Sequence, residues 1–355
     1  MSEKKKVLVA LSGGVDSSVS AALLQREGCE VHGAFIKTWS APWLPCTWRE
    51  ERRDAMRVAA ELGIPFYTVD MEKEYERDVV EYLVSEYRKG RRPNSYVMCN
   101  KYVKFGGFFE WAMEREYDYV ATGHYAQVIK GAGNTVELHA GKDEVKDQTY
   151  FLWTLTQAQL RKTLFPVGGF EKSHVRELAK EFDLPTATKK DSQGVCFLGK
   201  VDMKEFLKHY LNEKQGDVLN TEGDIIGHHD GAVFLTLGQR HGFTVTKKTP
   251  ETPPLYVYAK DVESNTITVA PKEYEGDQKD KSLEIPFTDA NIVCDNKEVT
   301  HARLRYNQPL FEVKVVFNEG GTGVAHLDKP QKFVPSGQSL VFYRSTECVG
   351  GSIIA

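Results

Sequence analysis

The N-terminal part of the chain alternates two hydrophobic textures. An unbroken apolar run at residues 7–11 reads as a buried strand, and residues 30–38, 66–69 and 119–122 read as further strands. Between them apolar residues recur at helical spacing. Val19, Ala22 and Leu23 share one face of residues 16–25, which Gly28 stops. Ala55, Met56, Val58, Ala59 and Leu62 do the same on a helix ending at Gly63, and Val79, Val80, Leu83, Val84 and Tyr87 on residues 73–88. A further helix at about residues 100–117 carries Phe105, Phe108, Phe109 and Trp111, whose spacing points to the core rather than to base stacking. Strand–helix alternation predicts a parallel sheet covered by helices, with its ligand at the C-terminal strand ends. Residues 127–138 read as a hairpin around Gly131-Ala132-Gly133-Asn134. Ser173 reads as the cap of a helix bearing Val175, Leu178, Ala179 and Phe182, and residues 202–211 as a last helix.

From about Gly216 the pattern changes to short alternating runs separated by Gly, Asn and Pro, as at residues 233–237, 266–270, 311–317 and 339–343. This is β structure. The expected fold class is α/β: an N-terminal Rossmann-like parallel-sheet domain over residues 1–212, a small β-rich central domain over 213–280 and a C-terminal β-barrel over 281–355. A length of 355 residues suits two or three such domains, and 41% hydrophobic with 27% charged residues suits an ordinary globular core.

A net charge of −4 gives no global attraction for nucleic acid. Any RNA contact falls to local patches such as Arg88-Lys89-Gly90-Arg91-Arg92 or Lys189-Lys190. The apolar run 7–11 is too short for a signal-peptide core, and no stretch approaches the ~18 apolar residues of a membrane span. A cytoplasmic protein without membrane contact is expected. Six cysteines without clustered spacing, and no CxxC, predict neither a disulfide scaffold nor a metal site.

The strand at 7–11 runs into Ser12-Gly13-Gly14-Val15-Asp16-Ser17-Ser18 and then a helix. Glycines let backbone N–H groups approach a phosphate, the serines add hydroxyls, and the helix dipole favours the charge. There is no Lys after the second Gly, so this is not a GxxxxGK[ST] loop. The string resembles the loop of ATP-pyrophosphatases, which cleave ATP between the α and β phosphates. Gly123 and His124 follow the strand at 119–122, where a ligand is expected. Cys99 stands near Lys101 and Lys104, and Cys196 near Lys189, Lys190 and Lys200; nearby cations favour thiolate.

Taken together these motifs resemble the tRNA-specific 2-thiouridylases. The resemblance rests on the loop, on Ala121-Thr122-Gly123-His124-Tyr125-Ala126, on Lys146-Asp147-Gln148-Thr149-Tyr150-Phe151-Leu152 and on Asp191-Ser192-Gln193-Gly194-Val195-Cys196-Phe197-Leu198-Gly199. It continues through His229-Asp230-Gly231-Ala232, Leu237-Gly238-Gln239-Arg240-His241-Gly242, Arg305-Tyr306, Gly337-Gln338 and Gly350-Gly351. It implies adenylation of C2 of the wobble uridine by ATP, with Mg²⁺ neutralising the phosphates, and then replacement of the oxygen by sulfur. It implies ATP binding by Ala10, Leu11, Ser12, Gly13, Gly14, Val15, Asp16, Ser17, Ile36 and Gly123. Cys196 would accept a persulfide from a cysteine desulfurase or sulfur-relay protein, and Cys99 would resolve it, leaving a Cys99–Cys196 disulfide. His124, Lys146, Asp147, Gln148, Arg305, Tyr306 and Gln338 would meet tRNA, by resemblance the wobble-uridine tRNAs for Lys, Glu and Gln. Asn94, Ser95 and Tyr96 would hold the target base. The family's Asn-Pro-Asp-like segment reads Asn94-Ser95-Tyr96 here, so a phenol replaces its carboxylate. A phenol is a poor base at neutral pH, and Tyr96 is expected to position the uridine by hydrogen bonding or stacking. Cys29, Cys46, Cys294 and Cys348 read as structural. The competing readings are an amidating ligase of the same ATP chemistry, which needs no cysteine, and a nucleotide-binding protein without catalysis.

Overall fold

The computed structural model describes residues 4–43, 48–131, 133–190, 202–247, 251–272, 274, 281–293 and 298–355. The segment 191–201 with the Cys196 motif, and Cys46 and Cys294, lie outside the described residues.

A parallel sheet carries the Ser12–Ser18 loop. It comprises β1 (Lys6–Ala10), β2 (Glu30–Lys37), β3 (Phe66–Asp70), β4 (Tyr119–Ala121) and, beyond the hairpin β5 (Ala126–Lys130) and β6 (Val136–Ala140), the two-residue strand β7 (Thr163–Leu164). The order is β3-β2-β1-β4-β7. Alternation along β1 explains its continuous apolar run. Val7 and Val9 join Val19, Leu23 and Val58 on one side, and Leu8 joins Val79, Leu83 and Phe108 on the other. Both faces are covered, so every position is apolar. Helix α1 (Val15–Arg26) follows the loop, and α2 (Trp48–Glu61) buries Ala55, Val58 and Ala59.

Two predicted helices differ in detail. Residues 73–88 form Glu72–Tyr75, a wide-turned Glu76–Glu81 and Tyr82–Arg88. The helix expected at 100–117 instead begins at the turn Ser95–Met98, continues as a wide-turned Cys99–Gly107 with Gly106 outside helical geometry, and ends with Phe108–Met113. Gly106-Gly107 accounts for the break, because glycine interrupts a helix at little steric cost. Phe105 and Phe108 are core residues, as their spacing indicated. The helix Lys172–Glu181 is preceded by Glu171, so Ser173 lies inside it and is not its cap.

The middle sheet has β8 (Gly216–Leu219), β9 (Ile225–His229), β10 (Phe243–Val245), β11 (Leu255–Asp261) and β12 (Thr266–Pro271), in the order β10-β9-β8-β12-β11. The strand expected at 233–237 is absent. Ala232–Phe234 is a 3₁₀ turn between Gly231 and Gly238, both at positive φ, and its alternation reflects Ala232 and Leu235 reaching the core from a turn.

The C-terminal strands are β13 (Lys281–Ile292), β14 (His301–Arg303), β15 (Phe311–Phe317), β16 (Gly323–Lys332), β17 (Ser339–Arg344) and β18 (Glu347–Ile354). They run β13-β16-β15-β14-β17-β18 and close through β13–β18, giving a six-stranded antiparallel barrel around Phe287, Val313, Leu340 and Phe342. The hairpin pairs through β6 with β18, His139 opposite Glu347 and Leu138 opposite Cys348. The barrel sheet therefore extends into the N-terminal part. The join is buried: Trp153 Nε1 donates to Ser339 Oγ at 3.1 Å, and the Tyr150 hydroxyl donates to the Leu304 carbonyl at 2.9 Å. Burial raises the Cys348 thiol well above its ordinary pKa, which fits a structural cysteine.

Candidate active site

The phosphate loop is held by its own serines. The backbone N–H of Ser12 donates to Ser17 Oγ at 3.2 Å, and Ser17 Oγ and Ser18 Oγ donate to the Gly14 carbonyl at 3.2 and 2.7 Å. Gly14 is the N-cap of α1 and no side chain caps it, so first-turn N–H groups are left without a side-chain partner, the arrangement an anion can use. Gly13 has φ +73°, and a Cβ there would run into the Glu51 carbonyl of α2. Gly123, just after β4, lies against α1; a Cβ there would come within 2.6 Å of Ser17 N and 2.8 Å of the Asp16 carbonyl carbon. Ala10 ends β1 and Ile36 lies half-buried near the end of β2, on the side of the larger core.

Charged groups surround the loop. Asp16 Oδ1 accepts from the Tyr125 hydroxyl at 2.8 Å, and Lys172 Nζ lies 2.6 and 2.8 Å from its two oxygens. On α2, Asp54 pairs with Lys189 at 2.6 Å. Burial raises the Glu51 carboxyl pKa against the pull of Lys189.

Cys99 opens the wide-turned helix and is buried. The preceding turn is capped by Asn94, whose Oδ1 accepts from the N–H groups of Tyr96 and Val97 at 3.2 and 3.3 Å. Ser95 is buried, and Tyr96 is half-buried one turn before Cys99. Its ring starts an aromatic row: Tyr96 to Phe151 at 5.4 Å, Phe151 to Tyr306 at 4.7 Å. Lys101 sits over the Tyr102 ring, and Lys104 Nζ approaches His124 Nε2 at 3.5 Å. His124 Nδ1 pairs with Thr122 Oγ1 at 2.7 Å, and the ring lies between Phe105 and Phe165. Burial first, then the Lys104 charge, drive its pKa well below the ordinary histidine value, so it stands neutral.

Comparison with known proteins places the whole chain. Residues 5–200 match the model described as tRNA methyl transferase HUP domain, residues 204–271 the tRNA methyl transferase PRC-barrel domain, and residues 282–354 the aminomethyltransferase beta-barrel domain. A tRNA-specific 2-thiouridylase MnmA of Enterococcus faecalis is 44% identical over 361 residues, covering 99% of this chain and 95% of that protein. One from Streptococcus sanguinis is 43% identical with the same coverage. The chain belongs to the tRNA-specific 2-thiouridylase family. Among solved structures, a 4-thiouridine synthetase–RNA complex with bound ATP is 22% identical, with a TM-score of 0.39 over 58% of this chain and 50% of that one, too loose a likeness to carry an argument.

The residues that family resemblance assigns to tRNA divide sharply in this 2-thiouridylase. Asp147 is 1% exposed; it accepts from the N–H groups of Gly141 and Thr149 and pairs with Arg303 at 3.2 Å. Gln148 exchanges hydrogen bonds with the Tyr125 backbone. His124 is 9% exposed. These three brace loops from within. Lys146 and Tyr306 are half-buried, and Arg305 is exposed. Arg305 and Gln338 line a cavity of about 480 Å³ with Arg92, Lys272, Tyr256 and Phe333. No sequence motif singles out Lys172, which lies 156 residues from Asp16.

Two predictions follow from this geometry. Gly13→Ala forces a side chain into left-handed backbone against Glu51 and should cost about 1–3 kcal/mol of stability together with ATP affinity. Gly14→Ala, at φ −96° with only Ser12 Oγ at 3.3 Å, should cost less than about 1 kcal/mol. Denaturant titration and ATP calorimetry compare the pair; equal effects would contradict the assigned contact. For His124 the folded pKa is depressed, so only the unfolded chain gains this proton as pH falls. Stability from burying it neutral is complete above about pH 6.5 and falls by up to about 1.4 kcal/mol per pH unit below. His124→Gln should flatten that acid limb between about pH 6.5 and 5; a limb of unchanged slope would refute the buried neutral ring.

Proposed function

We infer that this protein is a tRNA-uridine 2-sulfurtransferase that uses ATP to activate C2 of the wobble uridine. The observation that carries this is the uncapped α1 N-terminus that follows β1, in a chain matching 2-thiouridylases over almost its whole length. Uridine O2 attacks the α-phosphate and pyrophosphate leaves at the loop. This turns a poor leaving group into a phosphate ester. The terminal sulfur of a Cys196 persulfide then adds to C2 and AMP departs. Cys99 thiolate attacks Cys196 Sγ, releasing the sulfur on the base as 2-thiouridine and forming a Cys99–Cys196 disulfide, which a dithiol reductant reopens. A cysteine desulfurase or sulfur-relay protein supplies the persulfide.

The aromatic row supports a role for Tyr96 in holding the uridine, with Phe151 and Tyr306 extending the platform. Lys146, Arg305 and the cavity near Gln338 offer contacts for tRNA phosphates. Asp16 and Asp54 are each engaged by a lysine, so the described residues form no metal cage at the loop. Mg²⁺ would enter already chelated by the nucleotide phosphates, whose charge it neutralises. Residues 1–212 would do the adenylation and thiolation, and residues 213–280 and 281–355 would extend the tRNA surface. No helix among the described residues is long and apolar enough to cross a membrane. Action on tRNA would place the protein in the cytoplasm.

The test is incubation with ATP, a defined tRNA set and a persulfide donor, following pyrophosphate, AMP and 2-thiouridine. Cys196→Ser should abolish persulfide loading. Cys99→Ser should load and fail to complete transfer. ATP cleavage without thiolated uridine, or persulfide trapped on Cys99 alone, would overturn the scheme. Tyr96→Phe should keep most turnover, while Tyr96→Ala should lose mainly tRNA affinity. Loss of thiolation in Tyr96→Phe with normal tRNA binding would make the hydroxyl chemical rather than positional.

A further inference from the structure

The N-terminal hairpin joins the barrel sheet through a short ladder, in which His139 of β6 faces Glu347 of β18 and Leu138 faces Cys348. The tip of the β17–β18 hairpin is tied to the same place, since the Ala140 N–H donates to the Thr346 carbonyl at 2.8 Å. Acceptor groups from both strands converge at this join.

Glu137 and His139 are two residues apart on β6, so their side chains leave the same face. Glu347, opposite His139, projects to that face from the neighbouring strand. A ring nitrogen of His139 and one carboxylate oxygen from each Glu lie within 4.8 Å of one another. His139 Nε2 is 2.9 Å from Glu137 Oε2. The other ring nitrogen, Nδ1, is turned to Thr346 Oγ1 at 3.2 Å. Glu347 is buried, and Arg344 Nε and Nη2 both donate to its Oε2, at 3.0 and 2.6 Å. Two carboxylates thus share one guanidinium. A proton on the His139 ring serves Glu137 and leaves Glu347 to Arg344.

The donor set decides which cation fits. An imidazole with two carboxylates suits zinc and its neighbours, whereas calcium and magnesium take all-oxygen shells. A tetrahedral ion with bonds of ~2.1 Å separates its ligand atoms by about 3.4 Å. That spacing lies between the 2.9 Å His139–Glu137 contact and the 4.8 Å span of the set. The supporting contacts are those a metal site uses: Thr346 orients the ring through its second nitrogen, and Arg344 holds one oxygen of Glu347. Glu137 and His139 are half-buried, which leaves a fourth position for water.

We propose that Glu137, His139 and Glu347 form a Zn²⁺ site that clamps the N-terminal hairpin to the last strand of the barrel. The ion binds the neutral ring at Nε2, so a proton there leaves to solvent, and it neutralises both carboxylates. No CxxC marks this site, because two ligands come from one strand and the third from the far end of the chain. The proposal is independent of the ATP chemistry above.

The experiment uses the full chain, stripped with a chelator and titrated with Zn²⁺ and Ca²⁺ by calorimetry and with Co²⁺ by visible absorption. The wild-type chain should bind Zn²⁺ in preference to Ca²⁺, and its unfolding temperature should rise with zinc concentration. Even the partners of metal ligands are worth about ten- to a hundredfold in affinity, so His139→Ala and Glu137→Gln should each weaken zinc by more than about tenfold. Both should lose the zinc-dependent rise in unfolding temperature. Glu137 is half-buried, so its Gln variant keeps the test open if His139→Ala folds poorly. His326→Ala, whose ring pairs with Glu284 elsewhere on the barrel, should bind zinc like the wild type. Co²⁺ should give a ligand-field spectrum that both site variants lose. A wild-type chain that binds no zinc would overturn the proposal. So would zinc affinity unchanged in Glu137→Gln and His139→Ala, and so would a thiolate charge-transfer spectrum for cobalt that survives in both, which would put the metal on cysteines.

Discussion

The proposed active site depends on backbone packing against backbone with no side chain between. Gly13 lies on the Glu51 carbonyl of α2, and Gly123, after β4, lies on the Asp16–Ser17 peptide of α1. These two contacts clamp the first turn of α1 from both sides. An anion site made of N–H groups works only if those groups already point together, because a mobile turn would lose affinity to ordering. The serine hydroxyls contribute to that order. Ser17 and Ser18 both turn their hydroxyls to the Gly14 carbonyl.

A second constraint ties distant parts of the chain to the cysteine. The segment 88–94 runs from the end of Tyr82–Arg88 to Asn94, the cap of the turn before Cys99. Gly90 packs against Val262 of the middle unit, the Arg92 N–H donates to the Ser336 carbonyl, and Gln338 Nε2 donates to the Arg92 carbonyl at 2.8 Å. All three units therefore meet on a stretch of a few residues that sets the position of Cys99. An RNA lodged against the middle unit or the barrel is mechanically one short segment from the thiol.

Much of this was legible in the sequence. The apolar run at 7–11 could only be buried on both faces, which pointed to a helix-covered parallel sheet. The Gly-rich string after Leu11 marked a turn into a helix, and α1 follows it. What could not be read is what depends on three-dimensional meeting. Lys172 reaches Asp16 across 156 residues, and no local pattern encodes that. The hairpin looked self-contained because nothing in 127–138 signals that β6 will pair with β18. Residues 233–237 alternate like a strand, but flanking glycines at positive φ turned the same alternation into a 3₁₀ turn. The Cys196 segment, outside the described residues, adds no geometry to what its motif suggested.

Burial separates two roles that a motif merges. Lys146, Asp147 and Gln148 are adjacent in sequence, yet Asp147 is paired with Arg303 inside the protein and Gln148 is spent on the Tyr125 backbone. A buried ion pair adds little net stability, since desolvation offsets most of its Coulomb gain, but removing one partner leaves an uncompensated charge and is severe. Asp147 therefore fixes where its loop runs more than how stable it is. It organises the N–H groups of Gly141 and Thr149, and Thr149 Oγ1 reaches the Tyr343 hydroxyl of the barrel. Lys146 lies between this anchor and Asp143, whose other oxygen holds the Lys172 backbone. One short loop thus sets the position of Lys146 on one side and, on the other, the helix that brings Lys172 to Asp16. A disturbance at Asp147 therefore reaches both through that loop.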